Sequence, residues 1–209
     1  ILMERPLDKV LTMMLFSTIK KEAAAVESRD PLKIKVADPL PESLQDYEKD
    51  FLAAMQKDGK ERQALLSDLM VNVVKNGSEK MKGFSRKETG AYYEKIVDQA
   101  WDYVEKAETP EVMMKKYDEV LDWTMLDRNW DGLTREVFGP QPILVPTWWW
   151  RYDPVIRSTG WGSAAKNAAP APVDGMPSAG TPISATKLPG SDFPVSVVKG
   201  VQNLNRIHL

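Results

Sequence analysis

The chain has 209 residues, 43% of them hydrophobic, which is enough apolar material for one ordinary core, and a net charge of −2. It has no cysteine, which excludes disulfides, thiolate zinc sites, iron–sulfur ligation and a cysteine nucleophile while leaving the compartment open. The longest apolar stretch, at 11–19, is interrupted by Ser17 and Thr18 and falls well short of the roughly 20 residues of a spanning helix, so no transmembrane segment is expected.

After Pro6, the residues Leu7, Val10, Leu11, Met14, Leu15 and Ile19 recur at helical spacing and predict an amphipathic helix that closes on Lys20, Lys21 and Glu22. The segment 30–41 is broken by prolines and carries one short alternation, Leu32, Ile34 and Val36, which fits a single strand or a strapped loop. Pro41 suits a first helical turn, and Leu44, Tyr47, Phe51, Leu52 and Met55 form the stripe of a second helix ending near Gly59. A third runs from Lys60 through Leu65, Leu66, Leu69, Met70, Val73 and Val74 to Asn76-Gly77, a C-cap signal.

Ser85-Arg86-Lys87-Glu88 reads as a capping box opening a fourth helix along Tyr93, Ile96, Val97, Ala100 and Val104. Thr109-Pro110 repeats the start signal for a fifth, whose face is Met113, Tyr117, Val120, Leu121 and Thr124 and whose end is near Asp127. Met13-Met14 and Met113-Met114 fall on or beside these stripes and read as adaptable core packing. The fold expected is mainly α: a bundle or array of about five helices over residues 5–137, followed by a long extended Pro/Gly/Trp-rich C-terminal arm over 138–209.

Residues 139–209 hold 10 of the 15 prolines, 7 of the 12 glycines and 4 of the 7 tryptophans, and their charge is +3, leaving −5 for the rest. Each proline removes a backbone donor and biases its predecessor toward extended geometry, so periodic helix stops past Phe138. A composition rich in Ala, Pro, Gly and Ser at 163–190 resembles a linker. Beyond it, Val197, Val198, Val201 and Leu204 return at helical spacing, which predicts a short terminal helix near 194–206. The start at Ile1 rather than Met hints at a processed or trimmed chain.

Chemistry-bearing patterns are sparse. Asp127-Arg-Asn-Trp-Asp-Gly132 matches the first six positions of a calcium loop, with Asp127, Asn129 and Asp131 as candidate ligands. The twelfth position is Phe138 rather than a bidentate Glu, and Gly139-Pro140 denies the outgoing helix, so a turn made by Asp127, Asn129 and Gly132 is the preferred reading. The one histidine, His208, is penultimate, and no Gly-x-Ser-x-Gly, Gly-x-Gly-x-x-Gly or Walker-type pattern occurs. Asp46, Glu48 and Asp50, like Glu94, Asp98 and Asp102, read as solvated helix faces. We therefore expect no enzymatic activity and no cofactor.

Trp148-Trp149-Trp150 is different: successive residues of an extended chain point to opposite faces, so three adjacent indoles cannot all enter one core. They could bury against the chain's own helices, in a partner protein, or at a membrane interface. Arg151 has Asp153 or an indole as its nearby partner. The sequence thus predicts a non-catalytic accessory or scaffold subunit of a larger protein assembly. Its partner-binding residues would be Trp148, Trp149, Trp150, Tyr152, Trp161, Phe193, Val197, Val201 and Leu204, on an arm that wraps a neighbouring subunit at the cost of ordering entropy. The alternative is a peripheral membrane or lipid-surface protein anchored by the N-terminal helix and the tryptophans. Nucleic acid is not an expected partner, because no dense basic run is present to neutralise phosphates.

Overall fold

The computed structural model describes residues 2–28 and 31–139, the backbone of Arg29, 143–144 and 182–183, and Trp148 and Arg151. In chain order these make α1 (Leu7–Lys20), β1 (Ala24–Arg29), β2 (Leu32–Val36), α2 (Asp46–Met55), α3 (Gly59–Lys80), α4 (Arg86–Glu105), α5 (Pro110–Thr124), α6 (Trp130–Phe138), β3 (Ile143–Leu144) and β4 (Pro182–Ile183). The molecule is thus mainly helical, with six helices among the described residues rather than five, and with a small antiparallel hairpin that the sequence reading lacked. Of the extended arm the described residues include β3 and β4, which pair antiparallel through Ile143↔Ile183 and Leu144↔Pro182, and Trp148 and Arg151; the terminal helix near 194–206 falls on residues outside those described.

Helix α1 supplies the centre of the core: Leu11, Leu15, Phe16 and Ile19 are all but fully enclosed, as their periodicity predicts. It ends in a Schellman motif, in which Ala23 N donates to Thr18 O at 2.9 Å and Glu22 N to Ile19 O at 3.0 Å. Glu22 therefore stands at the left-handed position, with φ +63°, where glycine is the usual occupant.

That reversal feeds β1 directly into the hairpin. Strands β1 and β2 pair antiparallel from Ala24↔Val36 to Arg29↔Leu32, with a bulge between Val26 and Ser28. Leu32 is buried while Lys33 and Lys35 are exposed, the alternation that marks β2. Its partner escaped the sequence reading because Ala24 and Ala25 are weak strand formers. They belong to β1 because small side chains fit where the hairpin packs on α1.

Three helix boundaries depart from expectation. Pro41 lies ahead of α2, which starts instead after Gln45, whose backbone N–H donates to the Glu48 carboxylate at 2.8 Å. Asn76-Gly77 does not stop α3: Gly77 stays helical, and the chain turns only at Gly83, with φ +85°. The turn at Asp127 is followed by a new helix, α6, so Gly132 lies inside a helix rather than in the turn. The start signals of α4 and α5 hold, with Ser85 Oγ accepting from Glu88 N and Thr109 Oγ1 accepting from Val112 N, each at 3.3 Å.

Helix α2 packs on α3 and α4 on α5. Polar side chains from α1 and its approach reach carbonyls of the α5 region at both ends: Arg5 to Leu126 O and Lys9 to Asp127 O at one end, and Lys20 to Asp118 O at the other. One hydrophobic cluster runs through all of these elements, from Met3 to Trp130, and takes in Trp148 as well.

Candidate interaction site at the root of the arm

Trp148 is the predicted site residue that the structure places in detail. Only 6% of it is exposed. Its ring lies 6.0 Å from that of Phe16 on α1, tilted by 57°, and its indole Nε1 donates to Asp118 Oδ1 on α5 at 2.8 Å. Asp118 also faces Lys20 Nζ, 3.4 Å away, so the carboxylate receiving the indole is itself charge-compensated. A buried indole N–H with a partner lets the large apolar ring enter the core without a desolvation penalty.

Three residues further on, Arg151 donates from Nη2 to Glu22 Oε1 at 2.7 Å. The sequence reading offered Asp153 or an indole as its partner. Asp153 and the indoles at 149 and 150 lie outside the described residues, and the partner seen among those described is 129 residues away, on the Schellman turn that ends α1. The backbone of β3 lies against α5 just before these contacts. Trp148, read as an anchor for a neighbouring protein, is thus seated on its own chain. Trp149, Trp150, Tyr152, Trp161, Phe193, Val197, Val201 and Leu204 lie outside the described residues.

A second surface, missed by the sequence reading, lies on the α4–α5 pair. Tyr93 stacks on Trp123 at 6.1 Å with planes 19° apart, and Tyr92 meets Tyr93 edge-on at 5.6 Å. Tyr92 and Trp123 are exposed. Further along the pair, Tyr103 donates to Glu119 Oε2 at 2.9 Å beneath Lys116 Nζ, and that hydrogen bond to a carboxylate raises the phenol above its ordinary pKa. Periodicity could have found this surface, since Val112, Glu119 and Trp123, all exposed, share one stripe of α5 with the half-buried Lys116.

The calcium-loop match resolves into a helix start. Asp127 Oδ1 accepts from Asn129 N at 2.7 Å, Asn129 stands at the N-cap position of α6 without a side-chain cap hydrogen bond, and Asp131 lies in its first turn. A Cβ on Gly132 would come within 2.3 Å of the end of the Asn129 side chain, which would have to swing aside. Among the described residues, no three His, Cys, Asp or Glu side chains converge as a cation cluster.

Glu48 is the most perturbed carboxylate, and it is buried rather than on the solvated face expected of it. Burial alone would raise its pKa. Hydrogen bonds from Lys21 Nζ at 2.7 Å, Ser17 Oγ at 2.6 Å and Gln45 N at 2.8 Å, with the lysine charge, outweigh that and hold it below the usual carboxylate range. All its partners are structural, tying α1 to α2. Tyr117, enclosed between α5 and α6 and hydrogen-bonded to Thr134 at 3.3 Å, is pushed far up by burial and stays protonated. An open depression of about 490 Å³ beside the start of α4 is lined by Arg86, Lys87 and Arg128 but also by Glu4 and Glu94, and Glu4 already pairs with Arg86 at 3.3 Å.

No protein-family model, curated protein or solved structure matches the chain significantly.

Proposed function

We propose that the protein is a non-catalytic accessory or scaffold subunit, in which a cored helical body presents the proline- and tryptophan-rich segment after Trp148 to a neighbouring protein. The observation that carries this reading is the seating of Trp148 and Arg151 on α1 and α5, which joins that segment to the body at a defined place. Ten prolines and three further tryptophans follow or flank that seat within 139–209, a composition suited to covering a partner's surface and poor for building a core of its own. The exposed Tyr92–Tyr93–Trp123 surface offers the body a second contact of the kind that interfaces favour.

The lipid-surface alternative is left with one anchor of its two. The α1 face at Leu11, Leu15, Phe16 and Ile19 is inside the core and occupied by the chain's own side chains.

The test is co-purification from the native source with the full chain and with a 1–154 truncation that keeps the seat, followed by reconstitution from purified components. A protein that binds the full chain in both experiments and loses the truncation supports the reading. Equal binding by the two forms, or binding of the full chain to liposomes in its place, overturns it.

A further inference from the structure

Glu22 holds a backbone conformation that glycine adopts freely and glutamate does not, and a non-glycine residue in that region is worth explaining by what its side chain does. Here the side chain reaches Arg151 at 2.7 Å, while the rest of Glu22 is largely solvent-facing and contributes nothing to the core. Asp118 makes the parallel contact on α5, receiving the indole N–H of Trp148. Both receiving groups belong to the body and are acidic. Both groups that close on them come from the arm, whose +3 balance complements the −5 of the body.

We propose that Trp148 and Arg151 form an intramolecular latch, closed on Asp118 and Glu22, which pins the residues just after β3 to the body and adds to the pairing of β4 with β3. The indole supplies the holding contact, because it is buried and hydrogen-bonded. The Arg151–Glu22 pair is exposed on the glutamate side and sets direction rather than strength. The β3–β4 pair brings residues 144 and 182 together, and without the latch residue 153 of the loop between them would wander by roughly 15 Å on flexible-chain statistics, so the latch holds the start of that loop in place. The inference deepens the association reading, but the latch is wholly intramolecular and the two can fail separately.

The cysteine-free sequence makes the test clean. Spin labels on Gln99→Cys and Asp153→Cys of the full chain report the distance between α4 and the first residues past the latch, with no partner present. The latch requires one narrow distance distribution in the parent. Trp148→Ala and Glu22→Gly should each broaden it, and Glu22→Gly should do so while raising the melting temperature of the body, because it relieves the left-handed strain. A purely structural role for Glu22 would not separate those two readouts. A distribution already broad in the parent, or unchanged by both substitutions, overturns the proposal. If Trp148→Ala leaves the helices unfolded by circular dichroism, Trp148→Phe with Glu22→Gly decides instead, and unchanged width in that pair overturns it equally. Failure to find a partner, with the narrow distribution intact, would count against the association reading alone.

Discussion

Glu48 shows what a single buried carboxylate does when its partners are charged and close. Its side chain is fully enclosed, whereas Lys21 keeps 29% of its side chain in water, so removing the carboxylate strands a lysine that can partly rehydrate. Glu48→Gln should therefore cost about 2 kcal/mol, below the 3–5 kcal/mol typical of breaking a fully buried pair, as read from urea denaturation at neutral pH. Because the folded-state pKa lies below the unfolded one, the stabilisation is complete above the ordinary carboxylate range and disappears as pH falls through the lowered folded value. Glu48→Gln should accordingly flatten the acid limb of the stability profile, and an unchanged acid limb would show that the carboxylate carries no such linkage. The sequence placed Glu48 on a solvated face because Asp46 and Asp50 flank it. Its partners Ser17 and Lys21 lie 31 and 27 residues away, beyond the reach of any local pattern.

The elements that sequence periodicity located are those whose own side chains carry the signal. Helices α1, α4 and α5 have unbroken apolar stripes and a proline or hydroxyl at the start, and their observed limits agree. Strand β1 was hidden because it opens on two alanines and continues through Glu27 and Ser28, all weak strand formers, so that its strand character comes from pairing with β2. Helix α6 was hidden because its start resembles a metal loop. Asn76-Gly77 misled in the opposite direction, since a C-cap dipeptide ends a helix only where the glycine turns left-handed, and here Gly83 does so instead. The contrast is measurable. Gly77→Ala should stabilise the protein by about 0.5–1 kcal/mol, the propensity gain inside a helix, whereas Gly83→Ala should destabilise it by about 1 kcal/mol. Loss of stability in Gly77→Ala would return the helix end to residue 77. The hydroxyl caps should behave alike, with Ser85→Ala and Thr109→Ala each lowering stability by about 1 kcal/mol in thermal unfolding.

At the scale of the whole molecule, the division into body and arm is less sharp than composition suggests. Composition changes at Gly139, but the core does not: Phe138 packs edge-on against Tyr117 at 5.1 Å, and Trp148 closes over Phe16 nine residues after the change. The sequence could not place that tryptophan, because three consecutive indoles look alike until one of them finds an acceptor such as Asp118. The folded unit therefore reaches at least Trp148, and a chain cut at 138 loses a core residue along with the arm. Emptying the seat of a large aromatic costs about 3–5 kcal/mol, which for a protein of this size lowers the melting temperature by about 10 °C. A 1–138 fragment should thus melt about 10 °C below a 1–154 fragment, while the 1–154 fragment and the full chain should melt within a few degrees of each other. Equal melting of the two fragments would mean that Trp148 adds nothing to the core and that the boundary lies at the change in composition. The full chain also keeps β4, which pairs with β3, so a large further gain in it would mean that this pairing or other residues beyond 154 stabilise the body, and partner-binding experiments with truncations would then have to be read with that loss of stability in view.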